Sequence, residues 1–243
     1  METERPAEPA EEQSNAVGSL WGVLISPEKT FSGLSSRPAW VAALLALVLS
    51  AVALSIVITP KLDLRQQMRE AIERRGGDLT PEQAERQIEL ASRFKWIGMA
   101  SQVFLQPLFY LAMAGLLLVV FRLSGSEIDF RHSLSVTVHG MMPFALATIL
   151  TLPAAFSHGT LTVQELQTGG LLPSNLAAFA PEGASKPLAA LLSSFDLFSI
   201  WALILLAMGY RIVGRVSKAT SWGVLLTMWA ILTGCKIGLA SIF

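Results

Sequence analysis

The chain has 243 residues, of which 52% are hydrophobic and only 15% are charged. An ordinary soluble domain carries about 25% charged residues, so this composition excludes a water-soluble globular protein and predicts a membrane protein. The 18 basic and 18 acidic residues cancel, which excludes the basic footprint of a nucleic-acid-binding protein.

The first 36 residues divide into two parts. Residues 1–16 are acidic with little to bury, and we expect a disordered tail. Residues 17–36 are apolar but too short to cross a bilayer, and Ser26-Pro27-Glu28 is typical of a helix start. We predict a short amphipathic segment of two helices in the membrane interface, with Trp21, Pro27 and Phe31 as anchors. The alternative is a cover packed on the helix bundle.

Five later segments are long and apolar enough to cross a membrane, which takes about 20 residues. The fold class predicted is therefore an all-α, polytopic membrane protein with five transmembrane helices in a domain of residues 37–243. The predicted spans are 38–59, 96–121, 133–155, 187–210 and 219–241.

The block between spans one and two, residues 61–95, is the most charged part of the chain, with eight basic and seven acidic residues. Gly76-Gly77 interrupts its helical pattern, and Thr80, Pro81 and Gln83 are typical of a capped helix start. We predict an extramembrane helical hairpin whose second arm continues into span two. Its charges form either a solvated face or a docking surface.

Several polar side chains fall within the predicted spans. Gln102 and Gln106 lie four residues apart in span two, where amide side chains join helices, and Pro107 should kink that span. His139 in span three suits an interhelical hydrogen bond better than a proton relay. Cys235 is the single cysteine, which excludes a disulfide framework.

Asp196 and Lys236 are the charged residues of spans four and five. Intramembrane charges usually pair, and antiparallel helices would bring these two side chains within reach of each other. We expect a structural ion pair or a hydrogen-bonded acid. An ion or proton path and a partner contact are the alternatives.

Motifs for catalysis are absent from the sequence: it contains no P-loop, dinucleotide fingerprint, zinc-ligand spacing or nucleophile elbow. We expect neither a metal nor a cofactor, and no enzymatic activity. The short loop 211–218 carries three basic residues and no acid, which favours the cytoplasmic side. The prediction is a multi-pass protein of the inner (plasma) membrane, with a cytoplasmic amino terminus and an extra-cytoplasmic carboxyl terminus.

Three stretches carry a family resemblance: SPEKTF at 26–31, HGMMPF at 139–144, and FDLFSIWALILLAMGYRIVGRVSKATSWGVLLTMW at 195–229. With them the chain resembles the bacterial branch of the Yip family of Ypt/Rab-interacting membrane proteins. The resemblance implies five spans and the orientation given above. The Asp-Leu-Tyr-Gly-Pro motif of the eukaryotic members does not occur here, so the resemblance does not extend to small-GTPase binding.

The function expected from these features is that of a non-enzymatic membrane protein which organises membranes or binds other proteins. Its surroundings are the lipid bilayer, and its partner would be another membrane protein or a second copy in a homo-oligomer. The alternative is a small transporter, channel or lipid-moving protein that uses a polar bundle interior around Asp196.

Overall fold

The structure is a computed structural model that describes residues 9–63, 68–69, 80–162, 166, 171–181 and 183–242. Over these residues the chain forms helices joined by turns, without a β-strand. The α-helices in chain order are α1 (Pro9–Ile25), α2 (Pro27–Ser36), α3 (Val41–Ile58), α4 (Pro81–Leu123), α5 (Phe130–Gly140), α6 (Met142–Ser157), α7 (Lys186–Leu192), α8 (Leu197–Val213) and α9 (Lys218–Ile242).

Four segments of the described chain are long and apolar enough to cross a membrane: Val41–Lys61, Trp96–Leu123, Phe130–Ser157 and Lys218–Ser241. Each meets the length that a bilayer requires. The third contains both α5 and α6, which are divided at Met141. Pro143 lacks a backbone donor, and its ring disfavours an unbroken helix here. The predicted helical membrane class is confirmed, whereas only four of the five predicted spans reach this length.

The remaining predicted span, 187–210, is not one continuous helix. It is divided into α7 and the 17-residue α8 by a turn over residues 193–196. The hydroxyls of Ser193 and Ser194 both donate to the carbonyl of Ala190. Such bonds compete with the helical ladder and favour its end. Asp196 then stands directly before the new helix.

The amino-terminal helices differ from the predicted boundaries. Helix α1 begins at Pro9, inside the segment expected to be disordered, and residues 1–8 lie outside the described chain. Its early residues include Ala10, Glu11 and Glu12, which favour helix formation. Pro27 occupies the first position of α2, where its missing N–H removes no hydrogen bond.

Helix α4 has 43 residues and continues through Pro107. A capping box fixes its start: the backbone N–H of Gln83 donates to the Thr80 hydroxyl at 3.3 Å, and the Thr80 N–H donates to the Gln83 amide oxygen at 3.0 Å. Most of the first arm of the predicted hairpin, residues 64–67 and 70–79, lies outside the described residues. The second arm is the beginning of α4.

The chain forms two compact units. The first comprises Met1–Leu47, Phe109–Phe144 and Ile200–Ala230, and the second comprises Val48–Leu108, Ala145–Ser199 and Ile231–Phe243. In the first unit the largest fully buried side chains include Phe31, Phe121 and Tyr210. In the second unit a buried apolar cluster joins the end of α3 to the end of α6 and the loop after it, through Ile58, Ala155, Leu161 and Leu171.

Candidate functional site

A buried hydrogen-bonded cluster in the first unit joins α4, α5 and α8 around Tyr210. The phenol oxygen of Tyr210 lies 2.7 Å from the Ser133 hydroxyl and 3.2 Å from the Thr137 hydroxyl. Ser133 donates its own proton to the carbonyl of Ala114 in α4, so the phenol donates to Ser133. The Tyr210 ring stacks on Phe121 of α4, with centroids 4.0 Å apart and planes 3° apart.

This Tyr210 cluster was not predicted. Ser133 and Thr137 lie four residues apart in α5, as do Ser135 and His139, and this polar spacing in an apolar span was the signal available in the sequence. All four side chains are buried. An isolated tyrosine in an apolar helix carries no comparable pattern, so Tyr210 could be found only from its partners.

His139 lies two residues after Thr137 in α5 and connects α5 to α1. Its Nδ1 is 2.9 Å from the backbone carbonyl of Ser135, and its Nε2 is 3.1 Å from the Ser19 hydroxyl. A carbonyl can only accept, so Nδ1 carries the proton in the neutral ring, and Nε2 accepts from Ser19. The ring thus holds the amino-terminal helix by a hydrogen bond.

Helix α2 also docks on this part of the first unit. The Phe31 side chain is fully buried, and its ring would lie 2.8 Å from a β-carbon added to Gly209. The guanidinium of Arg211 donates to the Glu28 carboxylate at 2.9 Å. Of the predicted interfacial anchors, Phe31 is therefore a core residue, whereas Trp21 keeps 58% of its surface exposed. The two helices pack on the bundle with Phe31 inward and Trp21 exposed, and their place in a membrane interface stays a prediction.

The two glutamines of predicted span two have different surroundings. The Ser55 hydroxyl of α3 donates to the amide oxygen of Gln102 at 2.7 Å, joining two neighbouring helices. The amide oxygen of Gln106 is buried, and no hydrogen-bond partner for it occurs in the described part of the chain.

Asp196 caps α8. Its carboxylate accepts from the backbone N–H of Ser199 at 2.8 Å, and from the hydroxyls of Ser199 and Ser174 at 3.1 and 2.5 Å. A carboxylate at a helix amino terminus satisfies an otherwise unpaired donor and is favoured by the helix dipole. An aspartate in this apolar sequence thus has a local structural role.

Of the two structural roles expected for Asp196, the contacts fit the hydrogen-bonded acid and not an ion pair with Lys236. Both residues are described, and the Lys236 ammonium instead donates to the Ser193 hydroxyl at 2.7 Å. The prediction assumed an unbroken helix through residue 196. The turn before α8 directs the carboxylate to the helix end and to Ser174, so the serines take the place of the lysine.

The contacts of these candidate residues fall into separate groups. His139 and the docked residues belong to the first unit, whereas Gln102, Gln106, Asp196 and Lys236 belong to the second. The described residues include no group of three or more His, Cys, Asp or Glu side chains arranged to hold a metal ion. In the first unit, the buried polar side chains around Tyr210 and His139 are hydrogen-bonded, and α1 and α2 form a cover on the bundle.

Comparison with known proteins shows which family this chain is similar to. A family model described as the Yip1 domain matches residues 21–239. Membrane protein YknW of Bacillus subtilis (strain 168) is 25% identical over 221 residues, which cover 88% of this chain and 86% of that protein. No solved structure matches the chain. The match begins at Trp21 in α1 and includes four predicted spans in full and the fifth up to residue 239, so the chain is a membrane protein that belongs to the Yip1 domain family.

Proposed function

We propose that this protein is a non-enzymatic membrane protein that acts by binding another membrane protein. The support from the first unit is that the hydroxyls of Ser133, Thr137 and Tyr210 bond to one another or to backbone carbonyls. Groups held in this way stabilise helix packing. Surface features of the chain, rather than its interior, are then the place to look for activity.

The observation that carries the proposal is the amino-terminal part of α4. The candidate span within this helix begins at Trp96, which leaves residues 81–95 outside it. Fifteen helical residues extend about 22 Å. Because the helix is continuous, this extension joins the membrane-spanning part without a loop.

One face of the extension is apolar although it is exposed. Leu90 and Phe94 keep 53% and 56% of their surface exposed, and Ile97 follows one turn later at the membrane end. Their spacing places the three on one side of the helix, whereas Ile88 on the other side is 1% exposed. We name Leu90, Phe94 and Ile97 the α4 stripe.

Charged side chains border the α4 stripe. Arg86 pairs with Glu82 at 2.8 Å and Arg93 pairs with Glu89 at 2.6 Å, all four being exposed. Exposed pairs of this kind add little to stability, so a partner can exchange them for its own charges. An apolar stripe with a charged border suits a helix of another membrane protein or a second copy of this chain.

The experiment is photo-crosslinking in native membranes. A photoreactive amino acid at Leu90 should give a discrete crosslinked product, because its side chain is exposed on the stripe. The matched control carries the same group at Ser92, which lies on the opposite, partly buried side. Phe94→Ser should remove the product at Leu90 while leaving the amount of protein unchanged.

Two results would contradict the proposal. The first is a smear of lipid adducts at Leu90 that Phe94→Ser does not change. The second is an ion flux in reconstituted vesicles that Asp196→Asn abolishes, since this would establish transport instead. Product mass distinguishes a second copy from a different protein.

A further inference from the structure

Several loops and helix ends of the first unit carry basic side chains. The Ser126 hydroxyl donates to the carbonyl of Gly214 at 2.6 Å, which joins the loop after α4 to the loop after α8. The ion pair of Glu28 with Arg211 brings α2 to the same end of α8. The basic residues of these segments, here called the basic face, are Lys29, Arg37, Arg122, Arg131, Arg211, Arg215 and Lys218.

The basic face lies where candidate spans end. Arg122 is the penultimate residue of the span Trp96–Leu123, Arg131 is the second of Phe130–Ser157, and Lys218 is the first of Lys218–Ser241. Side chains at these positions reach the headgroup layer of a bilayer. Leu123 and Phe130 of the same segments are exposed and apolar. Basic and apolar side chains together are typical of a membrane interface.

Acidic side chains balance only part of this charge. The described segments of the first unit, residues 9–47, 109–144 and 200–230, contain seven basic residues and five acidic ones, an excess of two positive charges. Glu28 is bound to Arg211, and Asp129 caps α5 and contacts His132. The hydrogen bond from the backbone N–H of His132 lowers the pKa of the Asp129 carboxyl, so that acid stays ionised and engaged locally.

Arg215 and Lys218 are two cations of the basic face that lie three residues apart in the chain. Both are exposed, and neither has an ion-pair partner in the described part of the chain. Lys218 opens α9, whose first turn contains no acid, so the positive end of the helix dipole adds to its field.

The backbone holds Arg215 in an unusual conformation. Its φ is 54°, the one left-handed non-glycine residue of the described chain. The preceding Gly214 is fixed by Ser126, and a β-carbon there would lie 2.5 Å from the carbonyl oxygen of Tyr210. The surrounding packing therefore imposes the turn, and strain of this kind is often found at binding sites.

We propose that the basic face binds the headgroups of anionic phospholipids, with Arg215 and Lys218 as the principal phosphate contacts. A guanidinium matches two phosphate oxygens at once, and an ammonium adds a compact charge. Clusters of basic residues beside membrane spans attract anionic lipids, and the attraction grows with each basic residue near the surface. The inference concerns lipid selection and is independent of the α4 stripe.

The test is lipid selectivity in reconstituted membranes. Protein in phosphatidylcholine vesicles receives trace spin-labelled phosphatidylglycerol or spin-labelled phosphatidylcholine, and the motionally restricted fraction of each is measured by electron paramagnetic resonance. We expect the wild type to prefer phosphatidylglycerol by about threefold or more, falling as salt rises from about 0.1 to about 1 M. Arg215→Gln with Lys218→Gln should bring the ratio close to one.

Matched variants separate the site from net charge. Arg86→Gln with Arg93→Gln removes the same charge from α4 and should keep the preference, as should the charge-conserving pair Arg215→Lys and Lys218→Arg. An unchanged ratio in the Arg215→Gln, Lys218→Gln variant would overturn the proposal. The proposal would also be overturned if the wild type showed no preference for phosphatidylglycerol and a variant lacking residues 1–8 did show one. That result would mean that the acidic tail, rather than lipid, occupies the basic face.

Discussion

The hydroxyl of Ser19 in α1 lies 3.1 Å from Nε2 of His139 in α5, although 120 residues separate the two in sequence. His139 is 1% exposed, so this bond is made inside the first unit. It is one of the contacts, with Phe31 on Gly209 and Glu28 with Arg211, that hold the amino-terminal helices on the bundle.

Ser19→Ala should loosen the cover formed by α1 and α2. The change leaves Nε2 of His139 without its donor, and an unsatisfied buried acceptor costs about 1–3 kcal/mol. We expect a lower melting temperature in detergent and faster proteolysis within α1. The control is Ser32→Ala, because the Ser32 hydroxyl is exposed and bonds within its own helix. Equal melting temperatures for Ser19→Ala and the wild type would show that the bond does not secure the cover.

Gly209→Ala should destabilise the contact between α2, α5 and α8. The added β-carbon would lie 2.6 Å from Cγ1 of Val136 and 2.8 Å from Cε1 of Phe31. Overpacking of this kind costs about 1–3 kcal/mol. Thermal unfolding in detergent measures the loss, and Gly234→Ala serves as the control since open space surrounds a β-carbon there. If both variants unfold alike, the close approach is not rigid.

Asp196→Ala should weaken α8 by about 0.5–2 kcal/mol, the cost of losing a helix cap, and Asp196→Asn should cost much less because asparagine also caps. Lys236 donates to Ser193 and shares no partner with the carboxylate. The effects of Asp196→Ala and Lys236→Met on thermal stability should therefore add within about 0.5 kcal/mol. If the double variant is markedly more stable than the sum of the two single losses predicts, the hypothesis of an ion pair between Asp196 and Lys236 would be supported instead.

The crossing of α8 can be tested by topology mapping. Its 17 residues extend about 25 Å, at the lower limit for a membrane span. If α8 crosses, a cysteine at Lys186 and one at Val216 are labelled from opposite sides of the membrane. With the predicted orientation, a reporter active in the periplasm should work after Phe243 and fail at Val216. If both cysteines are labelled from the same side, α8 does not cross the membrane and either lies within the bilayer or folds back.

Much of the helical architecture follows from the sequence, because the signals involved are local. Apolar runs such as 38–59 and 219–241 place two candidate spans, since insertion depends on the summed hydropathy of about 20 neighbouring residues. The start of α4 at Thr80 and Gln83, and that of α2 at Pro27, are likewise set by side chains within three residues of the backbone groups they serve.

Contacts between distant segments were decided by the tertiary structure. The sequence shows that Phe31 is apolar, but its burial depends on the close approach of Gly209, which only the tertiary structure shows. Tyr210 meets Ser133 across 77 residues because α5 and α8 face each other in one rotational setting. Ser174, 22 residues before Asp196 in the chain, meets the carboxylate because the helix breaks at the turn before it. Sequence periodicity gives the faces of a helix, whereas the choice of neighbour for each face depends on the packing of all helices together.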